Sequence, residues 1–558
     1  MLTDKFINEN FLDPKEKNYN ILLKNIESIL KISSENISTE SPIKHKKIKL
    51  IDKSISNEIN EIPLLLSSTE KIIEKIAEIF EGRVRWNSPY ALLNIAPAPL
   101  LVTVAATTVA SLYNQNALWD FTSGDIIFFE KKVIKALTEL IGWDFKLSEG
   151  LSTYGGKATL LYAIKIGLHK FNIDIINEGI KKEYFVIASD RAHYSIPDIC
   201  NYLGIGSANF IQINTDTKGK MILSDFYKKT EKLLKDDKTI VCIILNAGTT
   251  IDMCIDPIFE IRKIVNILFE KYKKEKMPHI HADSVAGWAW LFFKDININK
   301  LDMKINPKKI LTIYKSISQI AHADSFSADF HKTGLSPYCS TFFIVKNHQD
   351  IYSLTKHGES NLKNLNNFGD FHVHHFSLEN SRSSLGIVSA YVALQKLGWT
   401  GFQHYLIKML AIGNLFRKII LDSYNMYIHI INSNTNGFET LIKINFFADK
   451  KSWNEILLSS IDEKNTYINI CLKFKDFIYN KIFNELQDLP LIGFVPFYKI
   501  QSIDEPLPCY LIYPMSLFTT EKDIINILDS LISLKYKFES NMDNLVVSNV
   551  SNLSTPPR

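Results

Sequence analysis

Five short stretches hold residues whose types and order could do chemistry. In "STYGGKATLLYAIKIG", Gly155 and Gly156 stand before a helical pattern, with Lys157 next. Glycines let an anion approach the backbone, and the first-turn amides of a helix point outward. A cation at a helix start opposes the macrodipole unless an anion or water faces it. An ordinary turn with Lys157 in solvent has the same composition. In "IASDRAHYSIPDI", His193 follows a β-rich run. It suits a hydrogen-bonded structural imidazole as well as a ring stacked on a flat ligand. "LNAGTTIDMCIDPI" offers Gly248, Thr249 and Thr250, whose hydroxyls can bind a ligand or cap their own loop. In "PHIHADSVAGWAW", Asp283 ends a short β-rich run and is flanked by apolar and small residues. A buried carboxylate there needs a partner, such as a protonated ring nitrogen, an arginine or backbone amides. "ADSFSADFHKTGLSPYCSTFFIVKN" contains Ser325, His331 and Lys332, followed by a strand pattern. A lysine taken alone is a surface residue, so Lys332 draws its meaning from the other four stretches.

These residues need elements to position them. β-rich runs occur at 184–189, 210–214, 240–245, 279–283 and 341–346. Helical patterns lie between several of them, at 159–171 and 257–274. In the first, Leu160, Ala163, Ile164, Gly167, Leu168 and Phe171 share a face. Continuous apolar strands alternating with amphipathic helices predict a mainly parallel sheet covered on both faces. Ligands bind such sheets beyond the carboxyl ends of the strands, where three of the five stretches place His193, Gly248 to Thr250 and Asp283.

In this order, an anion cradle, an imidazole, a threonine-bearing loop, a strand-end carboxylate and a later lysine are the parts needed to hold pyridoxal phosphate. The chain resembles the group II pyridoxal-phosphate-dependent decarboxylases, the family of glutamate, aromatic amino acid and histidine decarboxylases. The blocks that carry the resemblance are "NIAPAPLLVTVAATTVASLYNQN", "SDRAHYSIPDICNYLGIG", "NAGTTIDMCIDPI", "HADSVAGW", "DSFSADFHK" and "SLENSRSS". They span roughly 85–400, with a fainter likeness in "LPCYLIYPMSLFTTEKDIINIL".

The resemblance implies an α/β fold of the aspartate aminotransferase type, with a smaller α+β domain at the C-terminal end. It implies decarboxylation of an L-amino acid to an amine and CO2 in a homodimer. Lys332 corresponds to the lysine that joins the cofactor as a Schiff base, and desolvation plus a nearby cation is expected to lower its pKa. Asp283 corresponds to the carboxylate at the pyridine nitrogen and His193 to the stacked imidazole. Gly155, Gly156 and Lys157 correspond to the phosphate loop, and Thr250, Ser325 and His331 to further cofactor contacts. The chain departs from the family at Lys157, Ala158, Phe330 and Thr333, which leaves the substrate open. Arg382 could pair with a substrate carboxylate or support the fold. Tyr352 lies in the region of the family's mobile-loop tyrosine, where an ordinary loop tyrosine also fits. Another pyridoxal-phosphate carbon–carbon lyase, an aldehyde synthase and a degenerate non-catalytic scaffold are the competing readings.

With 558 residues, 46% hydrophobic and 22% charged, the chain has apolar mass for a large core. A net charge of +4 over that length does not form the basic face that nucleic acid calls for. The six cysteines are scattered without a CxxC pair, which argues against a disulfide framework or zinc ribbon. No apolar run approaches a membrane span, the N-terminal stretch lacks the apolar core of a signal peptide, and a cytoplasmic protein is expected. The "HVHH" histidines, His372, His374 and His375, read as loop residues, so no metal is expected. The domains read as an N-terminal helical and linker extension (1–84), a large cofactor domain (85–399), a small domain (400–540) and a disordered tail (541–558), with a linker at 33–49.

Overall fold

The computed structural model describes residues 4–35, 37–38, 40–44, 66–296, 306–355, 372–447, 449–501 and 504–542. Part of the linker expected at 33–49 and the tail from 543 lie outside the described residues.

Strand β1 (Ala91–Leu92) comes first in the chain and stands apart from the next seven. Those are β2 (Glu149–Thr153), β3 (Tyr184–Ser189), β4 (Phe210–Ile213), β5 (Thr239–Asn246), β6 (His279–Asp283), β7 (Ser325–Asp329) and β8 (Thr341–Val345). They form one sheet in the order β2-β8-β7-β6-β5-β3-β4. β4, β3, β5, β6 and β7 run parallel, and β8 runs against both of its neighbours. Strands such as "YFVIAS" and "HIHAD" are buried at every position, as a sheet covered on both faces requires.

The two faces feed separate cores. Val186, Ala188, Cys242 and Ile244 join Leu160, Ala163, Ile164 and Leu168 of helix Gly156–Phe171. A Cβ at Gly167 would lie 2.3 Å from the Val241 carbonyl oxygen, so glycine lets this helix settle onto β5. Ile187, Ile243, Leu245 and Ile280 point the other way, toward helix Ile258–Lys271 and its Ile258, Ile261, Val265 and Leu268. The period-2 alternation of strand side chains thus sorts one sequence into two packed layers.

A second sheet follows, built from β9 (Ile428–Ile430), β10 (Thr440–Ile444), β11 (Leu491–Tyr498) and β12 (Leu507–Ile512), in the order β1-β11-β12-β10-β9. β1, which sequence reading puts with the large domain, instead pairs in parallel with β11, Ala91 opposite Leu491. Two residues are too few to carry a strand pattern, and the partner lies far along the chain. Helix Leu385–Ile419 spans the region between the sheets and is interrupted at Gly398, whose φ of 54° breaks the helical path. Among the described residues no helix is long and apolar enough to cross a membrane.

Candidate active site

The carboxyl ends of β6 and β7 meet the amino end of helix Gly156–Phe171. The parallel register pairs His281 with Ser325 and Ala282 with Phe326, which brings Asp283 level with Ser327. The Ser327 hydroxyl donates to Asp283 Oδ1 at 3.4 Å, and the Val285 amide reaches the same oxygen at 3.5 Å. Both bonds are long for a carboxylate. Burial pushes the Asp283 carboxyl above its usual range, against the pull of His193 and Lys332.

Two residues beyond Ser327, on the same face of β7, stands Asp329. Its Oδ2 lies 3.0 Å from Lys332 Nζ and 3.3 Å from His331 Nε2. The Thr341 hydroxyl donates to Oδ1 at 2.6 Å. Asp329 is 1% exposed and the Lys332 side chain 18%, so the pair is largely shielded from water. The expected depression of the Lys332 pKa is not what the structure gives. Burial does press the ammonium down, but Asp329, aided by Asp283, outweighs it and holds Lys332 above the usual lysine value. The nearby group is an anion, not the expected cation.

The glycine stretch forms the facing wall. Gly155 has φ 104°, where side chains are strained, and helix Gly156–Phe171 begins without a side-chain cap. A Cβ on Gly156 would stand 3.0 Å from Val285 Cγ1 and 3.7 Å from Asp329 Oδ2. This wall therefore lies directly over the β6 and β7 ends, with the first-turn amides uncapped. Across the site, His193 is half-buried. Its Nδ1 is 2.6 Å from the Ser195 hydroxyl, and its ring stacks on Tyr194 at 4.5 Å. Burial lowers its pKa, and the charges that act on it belong to Asp283, Lys332, Asp329 and Lys157. The imidazole is thus kept neutral beside the carboxylate and the lysine.

Other expected residues fall elsewhere. Ser325 is at the amino end of β7, away from the site, where its hydroxyl lies 2.7 Å from His279 Nε2 and 2.8 Å from His281 Nδ1. It is two residues below Ser327, so the side chain level with Asp283 is Ser327. The Lys157 side chain turns outward, 3.7 Å from Asp198 and 5.0 Å from the Tyr202 ring centre, leaving its backbone in the glycine wall. Thr250 is half-buried in the loop after β5. That loop is organised by Thr249, whose hydroxyl bonds the Ile251 carbonyl and the Cys254 amide. It lies against the loop after β6, since a Cβ on Gly248 would be 2.8 Å from Gly287 Cα. His331 supports Asp329 and is itself held by the Ser340 backbone.

The departures Phe330 and Thr333 do not face the site. Phe330 is fully buried against Trp288 at 4.5 Å, and the Thr333 hydroxyl bonds the Ala286 carbonyl. Arg382 is buried in an ion pair with Glu130 and bonded to the Ala117 carbonyl and Ser152, which makes it a support of the fold. Tyr352 is buried, with its hydroxyl on Glu149 at 3.2 Å, and behaves as a packing residue.

Sequence reading missed Ser327 and Asp329. "SFSAD" lacks a continuous apolar run, with only Phe326 and Ala328 apolar, yet it is a strand, buried at all five positions. Once it is read as a strand, Ser325, Ser327 and Asp329 fall on one face, and Asp329 stands three residues before Lys332. The residues present fit pyridoxal phosphate. An uncapped glycine-started helix suits a phosphate, a buried carboxylate with weak bonds suits a cationic ring nitrogen, and Lys332 supplies the amine.

The sequence profile of the pyridoxal-dependent decarboxylase conserved domain matches residues 45–437. The chain belongs to the pyridoxal-dependent decarboxylase family. Among curated relatives, the acidic amino acid decarboxylase GADL1 of Xenopus tropicalis is 24% identical over 236 residues, 39% of this chain and 46% of that protein. GADL1 of Bos taurus is 24% identical over 283 residues, 50% of this chain and 49% of that protein. The matched stretches span about half the length of these relatives. Among solved structures, mouse CSAD superposes with a TM-score of 0.75 at 15% identity, over 94% of this chain and 99% of that one. Catharanthus roseus tryptophan decarboxylase, in complex with L-tryptophan, gives 0.70 at 15% identity, over 94% and 99%. Rhodiola rosea 4-hydroxyphenylacetaldehyde synthase gives 0.68 at 14% identity, over 95% and 99%. These likenesses establish the fold, which decarboxylases and an aldehyde synthase share.

Proposed function

We propose that this family member decarboxylates an L-amino acid to the corresponding amine and CO2. The observation that carries the reading is the Lys332–Asp329 pair at 3.0 Å, set beside buried Asp283 and facing an uncapped glycine-started helix. Bound here, pyridoxal phosphate supplies an electron sink for the pair of electrons left when the bond from Cα to the carboxylate breaks.

The chain's own residues do the rest. Lys332 anchors the cofactor through its amine and must shed a proton to do so. Asp329 holds that proton on Lys332 Nζ whenever the amine is free. With pyridoxal phosphate bound, Lys332 would lie beside the reacting centre, and its ammonium form would be placed to return a proton to Cα. Asp283 is assigned to the ring nitrogen. Burial disfavours its lone negative charge, so a proton held between it and a ring nitrogen answers that cost. The amides of Gly155, Gly156 and Lys157 are assigned to the phosphate, Thr250 to a further cofactor contact and neutral His193 to the ring face. Ser327 replaces Ser325 as the hydroxyl at this level, and His331 orients Asp329.

The working unit we propose is a homodimer. Helix Leu101–Tyr113 leaves Leu101 (88% exposed), Val102, Val104, Val109 and Tyr113 uncovered, an apolar face suited to a second copy. We place the protein in the cytoplasm, where its six free cysteines stay reduced. The substrate is a free amino acid, and nucleic acid and membrane have no part in the reading. The test is to incubate the cofactor-loaded protein with each common L-amino acid and measure CO2 and amine. Equal amounts of both, lost in Lys332→Ala, support decarboxylation. An aldehyde with ammonia supports the aldehyde synthase reading, and no turnover of any amino acid contradicts both.

A further inference from the structure

The "HVHH" turn was expected to hold ordinary loop histidines because the sequence offers these rings no evident partner. The structure gathers them. His372, His374 and His375 each present a ligand atom within 4.8 Å of the others, and all three are half-buried. Their ring centres lie 4.4–5.3 Å apart, His374 to His375 being nearest and His372 to His374 farthest.

Two details distinguish this group from a chance crowd of imidazoles. His374 Nδ1 is 3.2 Å from the Leu118 carbonyl oxygen, which accepts but cannot donate. Nδ1 therefore carries the proton and Nε2 keeps its lone pair, the arrangement in which a carbonyl fixes the tautomer of a metal-bound imidazole. His372 Nδ1 is a buried polar atom without a hydrogen-bond partner among the described residues. An orphaned ring nitrogen is costly, and a cation would satisfy it.

The surroundings hold the rings in place. His372 pairs backbone to backbone with Trp119, whose ring lies 4.8 Å away. The His374 amide bonds the same Leu118 carbonyl as its ring. Residue 117 is tied in turn to the backbone of Arg382, itself fixed by Glu130. The platform is therefore rigid and the rings hang from it. Three nitrogens at about 2.0–2.1 Å from a tetrahedral ion lie roughly 3.3–3.4 Å apart, so the rings must close by about 1.5 Å. Rotation about χ1 and χ2 of half-buried side chains supplies that.

We propose that His372, His374 and His375 bind one divalent transition-metal ion of the zinc class, with water in the fourth position. Among the described residues the ligand set is three imidazoles, and nitrogen donors select such an ion over calcium or magnesium. A bound ion clamps the His372–His375 turn onto Leu118 and Trp119. The site is independent of the reading of Lys332.

The test uses the full-length, cofactor-loaded protein dialysed free of metal. Cobalt(II) is added in increments and visible absorption recorded, then zinc by calorimetry. One ion per chain with micromolar or tighter affinity is expected, with the intense visible bands of low-coordinate cobalt. His375→Gln and His374→Gln should each weaken zinc at least tenfold, and zinc should raise the thermal midpoint of the wild type but not of these variants. Far-ultraviolet circular dichroism checks that the variants fold, and a misfolded variant is replaced by His372→Gln. No binding at millimolar zinc overturns the proposal. So does stoichiometric binding that is unchanged in every folded histidine variant, because the ion then sits elsewhere.

Discussion

Asp329→Asn isolates the group that sets the charge of Lys332. The two charges are 3.0 Å apart and mostly shielded from water. At an effective dielectric constant of about 20, their attraction is worth roughly 5 kcal/mol. Asparagine keeps a neutral hydrogen bond to the ammonium and Asp283 keeps its pull, so a net loss of about 2–3 kcal/mol is expected, in line with charge-assisted hydrogen bonds. The sign follows from the direction of the shift. Asp329 favours the ammonium, so its removal favours the amine, raising the free-amine fraction about 30- to 150-fold at a fixed pH below the titration. The assay is the rate at which the apoprotein takes up pyridoxal phosphate, followed by the absorbance of the lysine-bound cofactor from pH 6 to 9. The variant's rate profile should move to lower pH. Asp329 also faces the glycine wall, so its loss relieves repulsion of the phosphate as well. Repeating the series with pyridoxal, which lacks the phosphate, separates the two effects, and the shift should persist. A profile that stays in place with both aldehydes, or moves to higher pH, refutes the assignment.

Other outcomes follow from the same geometry. Asp283→Asn should leave the cofactor bound but lower the rate of CO2 release by about 10²–10³, the scale of losing one preorganised charge at a reacting centre; an unchanged rate would remove Asp283 from the reaction. Arg382→Met strands the buried Glu130 carboxylate and should cost about 3–5 kcal/mol in urea unfolding, whereas a stable variant with only a raised KM would return Arg382 to substrate binding. Burial pushes the Glu439 carboxyl up to about 7 from 4.5, against the Thr435 hydroxyl and Arg417. The folded state then holds a proton that the unfolded state has lost, so this group's contribution is full below about pH 4.5 and falls away as pH rises through 7. Glu439→Gln should remove that slope, worth about 3 kcal/mol, in unfolding measured at pH 5 and 8.

The strand at 184–189 was legible to the residue, because "YFVIA" is the continuous apolar run of a fully buried parallel strand; 279–283 was placed to the residue with only Ile280 and Ala282 apolar. β7 was not, because buried positions in a crowded centre can be filled by Ser and Ala, whose small side chains resemble a loop. That one gap misplaced the hydroxyl, naming Ser325 where Ser327 stands, and hid Asp329 altogether. Asp283 and His193 drew notice because one ends a legible strand and the other follows one, whereas Lys332 was singled out through the family resemblance, its strand β7 being unread. The roles of Arg382 and Tyr352 were not legible, since their partners Glu130 and Glu149 lie more than 200 residues away in the chain.

The central claim is that Lys332 is the covalent anchor of the cofactor. Borohydride reduction of the cofactor-loaded protein, followed by proteolysis and mass spectrometry, measures it directly. The account predicts one pyridoxyl phosphate group per chain, on the peptide that contains Lys332, and none in Lys332→Ala. A label on any other lysine, or an unlabelled wild-type protein, would contradict it.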